Sequence, residues 1–228
     1  MTDTSSRERL RAIFFDFDGL IADTESAVLA SAASIFAEHG ATLPMDRWLA
    51  VVGTSQPPGF WAPWLAEQTG RHDHDMPALW AEAQRRNVEM VSMLSPNPGV
   101  EDLLRAARRE GIVTRVVSSS PSTWVVPITE RLGLRPWLGG FTTREDAERA
   151  KPHPDLYLAA LAATGFDADE VVVFEDSANG TRAAVDAGLR VIAVPGPVTA
   201  SQDFRHADLV AASIAEIRIS DLQKWRVR

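Results

Sequence analysis

Asp16 and Asp18 directly follow the apolar run Ala12–Phe15. Ser118 follows a second such run, Ile112–Val117, and Glu175 with Asp176 follow a third, Val171–Phe174. Polar residues at the ends of neighbouring buried strands converge on one crevice. Carboxylates gathered there repel one another and raise one another's pKa unless a divalent cation lies among them. Mg²⁺ is the expected occupant, because it takes oxygen ligands, keeps several waters and joins a couple of carboxylates to a substrate phosphate. Lys151, just before Pro152, adds a compact positive charge suited to a phosphate oxygen and to restraining a nucleophilic carboxylate. Taken singly, each residue has an ordinary explanation: an Asp-x-Asp is commonly a turn, a serine after a strand a cap, a lysine a solvated charge. Together, in this order, they point to chemistry on a phosphate group.

The elements that must position these residues are legible as alternating patterns. The three runs above and Val191–Val194 are continuous and apolar, as expected of strands buried on both faces, and Phe141 with its neighbours offers a fifth. Between them lie helical patterns: Glu101–Glu110 closed by Gly111, Thr123–Leu132 closed by Gly133 but interrupted by Pro127, and Asp155–Ala163 closed by Gly165. The alternation predicts an α/β protein with a Rossmann-like parallel sheet, right-handed crossovers and a ligand crevice at the carboxyl ends of the strands.

One interval is too long for an ordinary crossover, since almost a hundred residues separate the first strand from the second. An inserted helical domain over residues 25–95 accounts for it, with a core made of residues 1–24 and 96–228. Val28, Leu29, Ala32, Ala33, Ile35 and Phe36 form a wide helical stripe, Met76–Leu94 suggests a second long helix, and Pro96-Asn97-Pro98-Gly99 marks the return. Trp48, Trp61, Trp64 and Trp80 crowd this insert; most belong in its core, with one or two available as a wall against a substrate ring. Arg71-His72-Asp73-His74-Asp75 reads as a polar inter-helix loop, not a second metal site.

The run Asp16-Phe17-Asp18-Gly19-Leu20-Ile21-Ala22-Asp23-Thr24 resembles the haloacid dehalogenase superfamily. The likeness continues through Val116-Val117-Ser118-Ser119-Ser120, Lys151-Pro152-His153-Pro154-Asp155 and Phe174-Glu175-Asp176-Ser177-Ala178-Asn179-Gly180, in that family's order. The subgroup it resembles is the β-phosphoglucomutase-like and phosphoglycolate-phosphatase-like one, with a helical cap. The resemblance implies Asp16 as nucleophile and metal ligand, Asp18 as general acid and base with its backbone carbonyl on the metal, and Asp176 and Glu175 completing the metal site. It also implies Ser118 and Lys151 on the transferring phosphoryl group. Gly19, Thr24 and Ser119 are expected at the substrate, and so are Gly53, Thr54 and Gln56, whose loop lies where such caps approach the leaving group.

The activity so implied is Mg²⁺-dependent hydrolysis of a small phosphorylated metabolite, such as a sugar phosphate, through a phosphoaspartate. Asp18 argues against a dehalogenase, which needs no acid two residues after its nucleophile. A β-phosphoglucomutase-like mutase is the nearest rival; Val28 stands where those mutases carry a histidine, and Gln56 where they carry an arginine for the second phosphate. A non-catalytic phosphoacceptor switch of the response-regulator kind shares the residue types, but places its acidic pair and acceptor differently and lacks a helical insert.

Composition narrows the partners. With 23 Lys and Arg against 31 Asp and Glu, the 228-residue chain carries a formal charge of −8 and no basic stretch, so nucleic acid is not expected. Zero cysteines exclude disulfides, thiolate metal sites and a cysteine nucleophile. The polar start and the shortness of the apolar runs, below the roughly 18 residues a spanning helix needs, predict no signal peptide and no membrane contact. A cytoplasmic monomer or weak homodimer is expected.

Overall fold

The computed structural model describes residues 10–224, so residues 1–9 and 225–228, assigned above to the core, lie outside it. The apolar runs form strands β1 (Ala12–Phe15), β2 (Val113–Val117), β3 (Gly140–Thr142), β4 (Val171–Glu175), β5 (Arg190–Ala193) and β6 (Leu209–Val210). They make one sheet in the order β3-β2-β1-β4-β5-β6, with every pairing parallel. β6 carries no sequence signal, because it is two residues long and both are exposed at the sheet edge.

Successive strand residues point to opposite faces, and that parity divides the core. Ile13 and Phe15 of β1 join Val172 and Phe174 of β4 on one side, where the Phe15 and Phe174 rings stack 5.3 Å apart. Ala12 and Phe14 join Val171 and Val173 on the other. Each such Val, Ile or Phe side chain, fully buried, contributes roughly 1.5–3 kcal/mol.

Helices cover both faces. After β1 come α1 (Thr24–Glu38), α2 (Met45–Val51), α3 (Ala62–Thr69) and α4 (Met76–Ser92), and then α5 (Val100–Arg109), α6 (Ser122–Arg131), α7 (Asp155–Thr164), α8 (Ala178–Asp186) and α9 (Ile219–Lys224). α5, α6 and α9 bury their stripes on the Ile13 side, α7 and α8 on the Phe14 side. Gly165, left-handed at φ 69°, ends α7. Pro127 sits inside α6 without ending it, since Val125, Ile128 and Thr129 anchor the helix by burial.

The helices of the insert build a third cluster from Ile35 and Phe36 of α1, Trp48 of α2, Trp61, Leu65 of α3 and Ala83 of α4, with Val198 from the loop after β5 packed against it. Ala27 of α1 and Val91 of α4 instead join the sheet cluster, so these two helices root the insert in the sheet layer. The polar loop before α4 is held by an Arg71–Asp73 ion pair, and Asp75 caps α4 by accepting from the Ala78 amide at 3.0 Å. No helix among the described residues is long and apolar enough to cross a membrane.

Candidate active site

β1 and β4 are adjacent, so their last residues emerge side by side, and the amide of Asp16 extends the ladder by donating to Phe174 O at 2.9 Å. One carboxylate oxygen each of Asp16, Glu175 and Asp176 lies within 4.8 Å of the others, and all three residues are buried. Lys151 enters from the loop before α7 with its side chain wholly buried. Its ammonium donates to Asp16 Oδ1, to Glu175 Oε1 at 2.7 Å and to Val117 O at 2.8 Å. All three hydrogens are therefore committed to protein acceptors, and of the two roles expected for Lys151 the structure displays restraint of Asp16.

Electrostatics follow from burial. Desolvation drives the Asp16 carboxyl well above the usual carboxylate range against the pull of Lys151, with Glu175 adding to the rise. Asp176 is raised the same way, by burial first and then by Asp16 and Glu25. For Lys151, burial acts downward, but the charges of Asp16 and Glu175 outweigh it and hold the ammonium protonated. Three carboxylates and one ammonium leave a formal charge of minus two, the complement of a divalent cation. Asp176 Oδ2 is buried without a hydrogen-bond partner, as a ligand oxygen awaiting a cation would be. Gly19, at φ 83°, keeps that oxygen clear, for a Cβ there would lie 2.1 Å from it. The donor set, all oxygen and net anionic, fits Mg²⁺.

Asp18 lies apart from this cluster. Its Oδ1 accepts from Thr24 Oγ1 at 2.7 Å and from Trp124 Nε1 at 2.8 Å; its Oδ2 accepts from Ser120 Oγ at 2.6 Å, with Ser118 Oγ at 3.5 Å. Asp18 also lines a cavity of about 450 Å³ between the insert and the strand ends, together with Gly53, Thr54 and Gln56. Glu25 lines it too, and burial, reinforced by Asp18 and Asp23, pushes its carboxyl up to about 8.

The insert is tied down at the C-terminal end of α2, whose last carbonyls lack partners within the helix. Gln202 Nε2 donates to Leu49 O at 2.9 Å, Asn179 Nδ2 to Ala50 O at 3.2 Å and Val52 O at 2.8 Å, and Ser119 Oγ to Gly53 O at 3.0 Å. Gly53 admits the approach because a Cβ there would lie 2.3 Å from Ser177 Oγ.

The profile of the haloacid dehalogenase-like hydrolases matches residues 10–188. The chain belongs to that family. The Bacillus subtilis (strain 168) protein YhcW, which carries a provisional phosphatase name, is 36% identical over 92% of this chain and 95% of its own. A Drosophila melanogaster protein provisionally named a pseudouridine-5'-phosphatase is 30% identical over 90% of each chain. Among solved structures, CbbY from Rhodobacter sphaeroides in complex with phosphate is 28% identical and superposes with a TM-score of 0.73 over 91% of this chain and 96% of that one.

Within this dehalogenase-like hydrolase, several residues expected at the substrate have their polar groups engaged by the protein. Thr24 is fully buried beneath Asp18, its hydroxyl used on that carboxylate; Ser119 uses its hydroxyl on Gly53 O; Gln56 is exposed and donates to Thr54 Oγ1 at 2.8 Å. Asn179, from the last of the quoted motifs, reaches across to α2.

Sequence reasoning missed four contributors. Trp124 and Ser120 hold Asp18. Tyr157, the chain's single tyrosine, donates to Glu175 Oε1, and burial followed by the Glu175 charge raises its phenol well above its ordinary value. Asn97 donates to Gly19 O at 2.8 Å and Leu20 O at 2.9 Å, pinning the loop after Asp18. Asn97 had a signal in its place between two prolines at the return from the insert, and Ser120 in the run Val116–Ser120.

Proposed function

We propose that the chain is a Mg²⁺-dependent phosphatase of small phosphorylated metabolites, sugar phosphates foremost, working through a phosphoaspartate on Asp16. The observation that carries this is the buried Asp16–Glu175–Asp176 cluster with Lys151 beside it and Asp176 Oδ2 unpartnered, while Asp18, two residues from Asp16, lines a substrate-sized cavity. Asp16, Asp176 and the Asp18 carbonyl would hold the metal, with Glu175 supporting it through Lys151. When bound, Mg²⁺ supplies positive charge that lowers the repulsion between the Asp16 carboxylate and the phosphate oxygens.

In the first step Asp16 attacks phosphorus in line, a carboxylate–phosphorus bond forms and the ester oxygen departs, taking a proton from Asp18. In the second, Asp18 removes a proton from water, the water oxygen bonds to phosphorus and the Asp16 carboxylate is released. The sum is phosphomonoester plus water to alcohol plus phosphate. Trp124, Thr24, Ser120 and Ser118 fix the Asp18 carboxyl for both transfers. Lys151 keeps Asp16 aligned and Ser118 would face the phosphoryl group, whereas the Gly19 amide is engaged by Ala22 O at 2.9 Å. Residues 25–95 act as a cap that excludes bulk water over the core segments 1–24 and 96–228.

Hydrolysis is favoured over the mutase because the cavity wall holds Val28 where those enzymes carry histidine, and Gln56 is engaged with Thr54 instead of gripping a second phosphate. The phosphatase names of relatives at 36% and 30% identity support the same choice. A cytoplasmic setting belongs to the proposal, because charged sugar phosphates do not cross membranes unaided. The test is phosphate release from sugar phosphates and an aryl phosphate, with Mg²⁺ or EDTA, comparing wild type with Asp16→Asn. Metal-dependent release lost on the order of 10⁴-fold in the variant is expected. Hexose-phosphate isomerisation without phosphate release would replace this reading with the mutase, and stable phosphorylation without turnover would replace it with the switch.

A further inference from the structure

Lys151 serves two carboxylates with one nitrogen, and its partition between them decides how firmly Asp16 is aimed. The ammonium donates to Asp16 Oδ1 and to Glu175 Oε1 at 2.7 Å, with Val117 O as its third acceptor at 2.8 Å. A shift toward one carboxylate is therefore a shift away from the other. Glu175 Oε1 has a second donor in the phenol of Tyr157, which enters from the first turn of α7. Tyr157 has no exposed surface, its ring belongs to the core cluster on the Phe14 side, and the ring centroid lies 5.0 Å from Lys151 Nζ. Its one O–H is used on Glu175, so it reaches Asp16 only through Lys151.

A carboxylate oxygen in a closed interior is stabilised by each donor it accepts, and bonds to a charged group are the strong ones. With Tyr157 supplying one donor, Glu175 Oε1 draws less on Lys151, and the ammonium stays balanced toward Asp16. The Glu175 carboxyl itself has little room to adjust. Gly180 backs it so closely that a Cβ there would collide with both carboxylate oxygens, and Ser177 Oγ, at 3.4 Å from Oε2, offers only a weak bond. Lys151, at the end of a flexible four-carbon stem, is the member that can move. Resting on the phosphatase reading above, we propose that Tyr157 is a positioning residue for the attack by Asp16, its hydroxyl holding Glu175 so that Lys151 keeps the nucleophilic carboxylate in line with phosphorus. Tyr157 is not among the residues lining the cavity beside Asp18, so its role is exerted on the nucleophile and not on the leaving group.

The test compares wild type with Tyr157→Phe, which keeps the ring and removes only the hydroxyl, on the aryl phosphate at saturating Mg²⁺. A kcat lower by about 10- to 100-fold with KM within about 2-fold is expected, because a misaimed reacting group carries a cost of that order. Tyr157 is the chain's single tyrosine, so growth on 3-fluorotyrosine replaces it alone; that protein keeps the O–H and should keep kcat within about 3-fold. Beryllofluoride, which binds a carboxylate as a phosphoryl group would, gives a readout independent of turnover. Its half-saturating concentration, followed by ¹⁹F NMR with Mg²⁺ present, should rise about 10-fold in Tyr157→Phe, and Asp16→Asn should abolish the signal. Unchanged kcat and unchanged beryllofluoride binding in Tyr157→Phe, or a raised KM with kcat intact, overturns the proposal and leaves the phenol a packing residue of the core. Equal loss of kcat in the fluorotyrosine protein and in Tyr157→Phe overturns it as well. No phosphate release from wild type, with beryllofluoride binding that Tyr157→Phe weakens, keeps the positioning of Asp16 and sinks the phosphatase reading. Neither release nor binding by wild type sinks both.

Discussion

The strand-end floor of the site and the cavity roof beside Asp18 are built on opposite physical plans. At the floor, charge is concentrated and nearly every polar atom is satisfied from within: Lys151 is triply bonded, Glu175 takes Lys151, Tyr157 and Ser177, and Asp18 accepts from several side chains. Asp176 Oδ2 is buried there without a partner. The roof is apolar and aromatic, and its hold on the floor runs through side-chain bonds to backbone carbonyls at the end of α2. A rigid floor preorganises charges before substrate arrives, whereas a roof held by a few neutral hydrogen bonds can lift to admit it.

That contrast can be broken most severely at Lys151. Lys151→Met leaves Asp16 and Glu175 buried without their cation, and a loss of about 3–5 kcal/mol in unfolding free energy is expected in urea titrations, partly restored by Mg²⁺. A variant as stable as wild type would mean that the floor does not depend on this pair.

Gly19→Ala tests the open corner of the floor. The new Cβ would meet Asp176 Oδ2 at 2.1 Å on a backbone at φ 83°, so roughly 1–3 kcal/mol of strain is expected. A Mg²⁺ titration of activity should show a weaker metal midpoint.

Asn179→Ala addresses the roof. It removes two bonds to the α2 carbonyls, each a neutral hydrogen bond of about 0.5–1.5 kcal/mol. A several-fold rise in KM with a small change in melting temperature is expected, and the reverse pattern would make Asn179 a structural residue of the core.

A further effect is on pH dependence. Glu25 titrates at about 8 in the folded protein against 4.5 for the unperturbed group, so the folded chain keeps a proton that the unfolded chain releases. Stability of the metal-free protein should therefore fall as pH rises from about 4.5 to 8. The slope is no steeper than about 1.4 kcal/mol per pH unit, and shallower where water reaches the side chain. Glu25→Gln should flatten that part of the profile in chemical unfolding at several pH values; an unchanged slope would assign it to other groups.

The floor was far more legible than the roof. Asp16, Glu175 and Asp176 were identifiable because strand runs are short, local and apolar, and whatever follows them must face the crevice. The edge strand β6 escaped because an exposed two-residue strand has no burial pattern. The partners of Thr24 and Ser119 were not legible because a hydroxyl takes whichever neighbour packing brings to it, and sequence does not name that neighbour. Among the tryptophans, sequence foresaw a crowd but not its division, in which Trp61 lies in the insert's core while Trp48 and Trp80 reach the cavity.

The sequence by itself determined the parallel sheet, the order of its chemical residues and the helical character of the long insertion, because these rest on periodicity and residue type over a few positions. Only the tertiary structure decided which groups meet. Lys151 is 135 positions from Asp16, Trp124 is 106 from Asp18, and Asn179 is 127 from Val52. Contacts at such separations depend on crossover packing and on the seating of one layer against another, which local pattern does not encode.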